Sequence, residues 1–142
     1  MTIQYIAGLF DGEGGIYITQ KIDKRFSKGI LVRNIRCQVA NTHKGVLINL
    51  QKIFGGTIRL KNHKRGFTWE IAGQKNVLDF LNKIYPYLII KKEQVKLAIQ
   101  YLKSRLSHQH KKYTDKEIKL AEKIRKMTKR GQNLKEKYPE WY

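Results

Sequence analysis

The chain has 142 residues, 41% of them hydrophobic, enough to enclose one compact core and not two, so a single domain is expected over 1–142. Thirty Lys and Arg against eleven Asp and Glu leave a formal charge of +19, which selects a polyanionic partner, nucleic acid first. No apolar run approaches the roughly 18 residues that span a bilayer, and acidic residues interrupt the N-terminal apolar stretch too early for a signal peptide, so a soluble intracellular protein with no membrane partner is expected.

The spacing predicts a first helix capped by Thr2, with Ile3, Ile6, Ala7 and Phe10 on one stripe. Tyr5, Gly8, Leu9 and Gly12 occupy the opposite side, which leaves the helix almost no polar face before Asp11 and predicts burial all round. Gly8 and Gly12 lie four apart on one ridge, where another helix can approach nearly backbone to backbone. Segments 15–22 and 30–41 alternate and read as a hairpin joined by the charged loop DKRFSKG. A helix fits 44–54, closed by Gly55 and Gly56. TIRLK and FTWEIA then flank NHKRG as a second hairpin. The pattern turns helical through Val77, Leu78, Leu81 and Ile84 until Pro86, and YLIIKKEQVKLAIQYLKSRL is a loop entering another amphipathic helix. Thr114 and Glu117 stand at capping-box spacing before a last helix carrying Ile118, Ala121 and Ile124, and GQNLKEKYPEWY has no usable period. The expected class is α+β, in the order α-β-β-α-β-β-α followed by helices, with a core over about 1–105 and C-terminal helices and a basic tail over about 106–142.

Cys37 is the one cysteine, which excludes an internal disulfide or a Cys-rich zinc site and reads as a small buried apolar residue. His108 and His110 have no carboxylate or cysteine at ligand spacing and read as surface residues of a basic loop. Chemistry concentrates instead in YIAGLFDGEGGIYI. Asp11 and Glu13 fall at the expected end of the first helix, where partial negative charge makes each acid cost about 0.3–1 kcal/mol. A divalent cation reverses that sign; a solvated helix end is the plain alternative.

Residues Ile6 to Gly14, IAGLFDGEG, resemble the signature of the LAGLIDADG homing endonucleases, and the element order already reached is the α-β-β-α-β-β-α order of that fold. The resemblance covers most of residues 1 to about 105. It implies that the motif helices of two copies pack together through Tyr5, Gly8, Leu9, Asp11 and Gly12, since the chain has one motif and is expected to form a homodimer. It implies Glu13 and the carbonyl of Gly12 as metal ligands, with Asp11 capping the helix end and stabilising the interface. The family often has an aspartate where this chain has Glu13, one methylene longer. Asn41 matches a polar residue that positions active-site water, and its alternative reading is a strand-end hydrogen bond. Lys91 matches a basic residue near the scissile phosphate, with Lys92 as the alternative equivalent.

Metal-dependent hydrolysis is the expected mechanism, because the chain has no covalent Ser or Cys constellation, and Mg²⁺ suits a site of few carboxylates and carbonyls. The strands should read the target: Asn34, Arg36 and Gln38 alternate with the expected core residues Ile35, Cys37 and Val39, and are types that read base edges bidentately. Tyr17, Thr19 and Lys21 form a second row, and Arg59, Lys61, Thr68 and Glu70 a third, while Arg25, Lys28 and the Lys-rich stretch 111–130 are expected on phosphates. The expected partner is duplex DNA, cut on both strands to promote intron or intein homing. An RNA maturase acting on intron RNA and a non-catalytic basic binder are the alternatives. Abundant Lys, Ile, Asn and Tyr point to an AT-rich genome, that of a chloroplast, a mitochondrion or an AT-rich microbe.

Overall fold

A computed structural model describes residues 1–23, 30–109, 111–128 and 139–141. Arg25, Lys28, His110, Lys129 and Arg130 lie outside the described residues. The elements run α1 (Ile3–Glu13), β1 (Gly14–Asp23), β2 (Ile30–Asn41), α2 (Lys44–Phe54), β3 (Thr57–Leu60), β4 (Phe67–Ala72), α3 (Gln74–Ile84), α4 (Lys92–Ser107) and α5 (Asp115–Thr128). The α+β class and the element order are those expected from the sequence, with the two additional helices α4 and α5 after α3. Among the described residues no helix is long and apolar enough to cross a membrane.

The four strands form one antiparallel sheet in the order β1-β2-β4-β3. Alternation sorts its faces. Ile16, Ile18, Ile35, Cys37, Val39, Trp69 and Ile71 are buried under the helices, while the intervening side chains form the opposite face. Phe80 of α3 is the aromatic hub beneath the sheet: Phe10, Phe54 and Trp69 meet its ring edge to face with centroids 5.5, 4.9 and 5.3 Å away. Trp69 Nε1 donates to the Gly55 carbonyl at 2.8 Å, so the end of α2 supplies the buried indole with its partner. Burial pushes the Cys37 thiol far up, leaving it an apolar filler.

Strand β2 outruns its neighbour, since pairing with β4 begins only at Arg36. The open backbone edge at Arg33 is covered from the C-terminal region. Its N–H donates to the Tyr113 hydroxyl at 2.9 Å, and its carbonyl accepts from Tyr101 at 3.2 Å. Burial first, and the neighbouring Tyr113 second, push the Tyr101 phenol up and keep it a donor. Helix α5 opens with the reciprocal capping box read from the sequence: Thr114 N–H donates to Glu117 at 2.8 Å and Glu117 N–H to Thr114 Oγ1 at 3.1 Å.

Candidate active site

Helix α1 is capped at its start by the Thr2 hydroxyl, which accepts from Tyr5 N–H at 3.1 Å. It buries Ile6, Ala7, Phe10 and Asp11 within its own chain and leaves its other face, the one expected to meet a second helix, open. Tyr5 is 52% exposed and Gly8 and Gly12 are also exposed. Among the described residues a Cβ at either glycine would meet nothing within 4 Å, so none of them explains the missing side chains. Two helical glycines cost about 0.5–1 kcal/mol each against alanine. By contrast Gly14, where the helix turns into β1, has a reason within the chain, because a Cβ there would collide with the Phe10 ring at 2.3 Å.

Asp11 and Glu13 part company at this turn. Asp11 is 8% exposed and points inward, its two oxygens accepting from the N–H groups of Ile89 at 2.7 Å and Lys91 at 2.9 Å. The carboxylate thus caps the entry to α4 rather than its own helix. Lys91 Nζ completes the clasp by donating to the Asp11 carbonyl, placing an ammonium at the negative end of α1. Glu13 is exposed and faces two adjoining cavities. One, of about 320 Å³, is lined by Glu13, Ala40, Asn41, Thr42, Lys61 and Arg65. The other, of about 410 Å³, brings Glu13 together with Gly12, Lys61, Lys91, Gln94 and Thr128.

The site therefore holds one exposed acid facing three cations from two segments of the chain, the β3–β4 connection and the start of α4. Lys61 and Arg65 come from the β3–β4 connection, closed by Lys61 N–H donating to the Gly66 carbonyl at 2.8 Å and turned by His63 and Gly66, both at positive φ. Lys61, expected from the sequence to read the target, lines this cavity and also a neighbouring one with Arg59 and Thr68, and Arg65 is an addition to the residues expected from the sequence. The run KNHKRG was its only signal, because a basic loop does not reveal which way it folds back. Asn41 is at the same cavity, and its Oδ1 accepts from His43 N–H at 2.8 Å, the strand-end bond that was its alternative reading. Lys92 lies over the Tyr85 ring at 5.3 Å and does not line either cavity. Among the described residues no three His, Cys, Asp or Glu side chains gather to hold a metal.

From this site the outer sheet face extends in register. Tyr17 pairs with Arg36, Thr19 with Asn34, Gln38 with Glu70, and Arg59 with Thr68, so the residues read as target-reading rows on these strands share one face. Lys21 continues the β1 row opposite Val32.

An open polar sheet face thus meets, at its edge, a carboxylate among cations. The chain belongs to the LAGLIDADG endonuclease family, whose sequence profile matches residues 6–95. A search among curated proteins gave no significant match. Among solved structures, the archaeal intron-encoded homing endonuclease I-Vdi141I, complexed with DNA, is similar with a TM-score of 0.75 and 19% identity, over 93% of this chain and 87% of that one. I-CvuI, in complex with its target in the presence of Ca, is similar with a TM-score of 0.71 and 23% identity, over 97% and 90%. I-SmaMI bound to cleaved DNA matches 99% of this chain but 48% of its own, with a TM-score of 0.72 and 19% identity. At these identities the likeness establishes the shared fold.

Proposed function

We propose that this protein is a homing endonuclease that acts as a homodimer, cutting both strands of a long pseudo-palindromic DNA site by divalent-metal-dependent hydrolysis to promote intron or intein homing. The observation that carries the reading is the end of α1: Glu13 stands among Lys61, Arg65 and Lys91 on a helix whose Gly8 and Gly12 face open space among the described residues. Two such ridges packed together bring two Glu13 carboxylates side by side, one for each strand. The match to about half of I-SmaMI supports a chain that completes itself with a second copy. The DNA complexes of I-Vdi141I and I-CvuI support duplex DNA as substrate.

A divalent cation suits the donor set. Glu13 is an exposed carboxylate, and Gly12 lies in the last turn of α1, where carbonyls have no intrahelical N–H. Such a sparse oxygen set matches Mg²⁺, which keeps several waters and takes phosphate oxygens. When bound, it supplies an acidified water and offsets charge on the phosphate. Lys61, Arg65 and Lys91 draw the scissile phosphate into the cavity and stabilise the charge that develops on its oxygens. Asn41, fixed by His43 N–H, orients water beside Glu13.

The test is cleavage of a duplex library containing intronless host genes, with Mg²⁺ or Ca²⁺, by the wild type and Glu13→Gln, followed by sequencing of the ends. Discrete Mg²⁺-dependent breaks at one pseudo-symmetric site, lost in Glu13→Gln while binding persists, are expected. A folded wild type that binds the library and breaks no strand, with its site present, makes the chain a non-catalytic binder.

A further inference from the structure

Glu70 is misplaced for a surface that approaches DNA. It sits mid-sheet on β4, paired across to Gln38 of β2 and Thr57 of β3, on the face that carries Arg36 and Arg59. A carboxylate there repels phosphate, yet Glu70 is only 9% exposed, while its neighbours Arg36 and Arg59 keep 36% and 59% of their side chains accessible. Both of its oxygens are engaged. Arg36 Nη1 donates to Oε1 at 3.1 Å, Arg59 Nη2 to Oε2 at 2.9 Å, and Gln38 Nε2 also to Oε2. The donors come from strands on either side of β4, so one carboxylate gathers three long side chains that would otherwise wander independently.

Each guanidinium gives one of its five N–H groups to Glu70 and keeps the others in a fixed plane. A planar fork held in advance suits the paired acceptors of a guanine edge, and an immobilised Gln38 amide suits an adenine edge. The same contacts lower the net charge of the cluster from +2 to +1, and a guanidinium tied to a carboxylate is poorly available to a phosphate. We propose that Glu70 is a specificity-determining positioning residue: it presets Arg36, Gln38 and Arg59 for base edges and withholds the two arginines from the phosphate backbone. The proposal rests on the reading of this sheet face as the DNA-binding face.

Salt dependence separates this role from cross-strand stability, because every arginine that reaches a phosphate steepens the fall of log K with log salt by about 0.9. Binding of wild type, Glu70→Gln and Glu70→Asp is measured with Ca²⁺ on a duplex of unrelated sequence across a salt series, and base preferences are read from a randomised duplex pool. Glu70→Gln should tighten binding to the unrelated duplex and steepen its salt slope by about 1.8, roughly 0.9 for each of the two arginines released. It should flatten base preference over one short block of positions and leave the rest intact, and Glu70→Asp should restore both. Arg59→Gln should leave the unrelated-duplex slope unchanged in the wild type and reduce it by about 0.9 in the Glu70→Gln background. Equal slopes and unchanged preferences in folded Glu70→Gln would overturn the positioning role while leaving the DNA-binding reading intact. A folded wild type that binds no duplex overturns both.

Discussion

At the scale of single residues, the acids of this basic chain are informative because each needs a reason to be there. Glu117 shows the case where the reason is stability. It is fully buried, accepting from Thr114 N–H, from the Ser104 hydroxyl at 2.8 Å and from Arg105 Nη1 at 3.2 Å. Burial alone would raise its carboxyl pKa, but the hydrogen bonds from Thr114, Ser104 and Arg105 and the Arg105 charge outweigh it and hold the pKa low. A depressed native pKa adds stability that is fully present above the unfolded value of about 4.3 and is lost as pH falls through the native value. Glu117→Gln should therefore flatten the loss of stability below about pH 4. It should also cost about 3–5 kcal/mol at neutral pH, since Arg105 is left buried without its counter-charge. Urea unfolding at several pH values measures both, and a variant as stable as the wild type with the same acid slope excludes this account. The site acids were less evenly legible. Glu13 was visible as an acid at a helix end, whereas the inward turn of Asp11 depends on the loop before α4, seventy-eight positions away, and the grip of Glu70 on two arginines depends on strand register. Alternation tells which face a residue occupies; it does not tell which neighbours lie beside it.

At the scale of elements, periodicity carried most of the fold. The bounds 30–41 and 44–54 expected for the second strand and the following helix are those observed, because a long alternating run and a helix closed by Gly55-Gly56 are local signals. What local signals omit is destination. The stripe on α5 announces that the helix packs, and the structure shows where: against α4 and the edge strand β1. Its final residue makes the joint. Thr128 Oγ1 donates to the Ile16 carbonyl at 2.7 Å and accepts from Gln94 Nε2 at 2.8 Å. One hydroxyl thus ties β1, just past Glu13, to α4, just past Lys91, on the wall of the larger cavity. Thr128→Val keeps the shape and removes both bonds, so it should cost about 1–3 kcal/mol by leaving buried partners unsatisfied. It should also slow single-turnover cleavage while DNA affinity holds, and Thr128→Ser should recover both. Unchanged urea midpoint and cleavage rate in Thr128→Val would show that α5 merely rests on the sheet.

At the scale of the whole molecule, the charge of +19 and the open face of α1 make opposite demands. Two such chains repel, so a dimer requires a contact that is close and apolar. The face offers it: Tyr5 and the bare backbone at Gly8 and Gly12, with the exposed Ile89 and Ile90 in the loop clasped to the end of the same helix by Asp11. Close packing gains many small dispersion contacts when backbones approach within side-chain-free ridges, and a single large side chain on the ridge forfeits them. Gly8→Leu separates assembly from folding unusually well. Within one chain the new side chain starts from open space, and leucine is better than glycine in a helix by about 0.5–1 kcal/mol. The helical content measured by circular dichroism should be retained, while light scattering should report a dimer for the wild type and a monomer for the variant. A monomer presents one Glu13, so supercoiled plasmid carrying the target should be nicked at most and not linearised. If Gly8→Leu remains a dimer of wild-type mass, the two copies meet elsewhere, and the bare ridge of α1 requires a different partner.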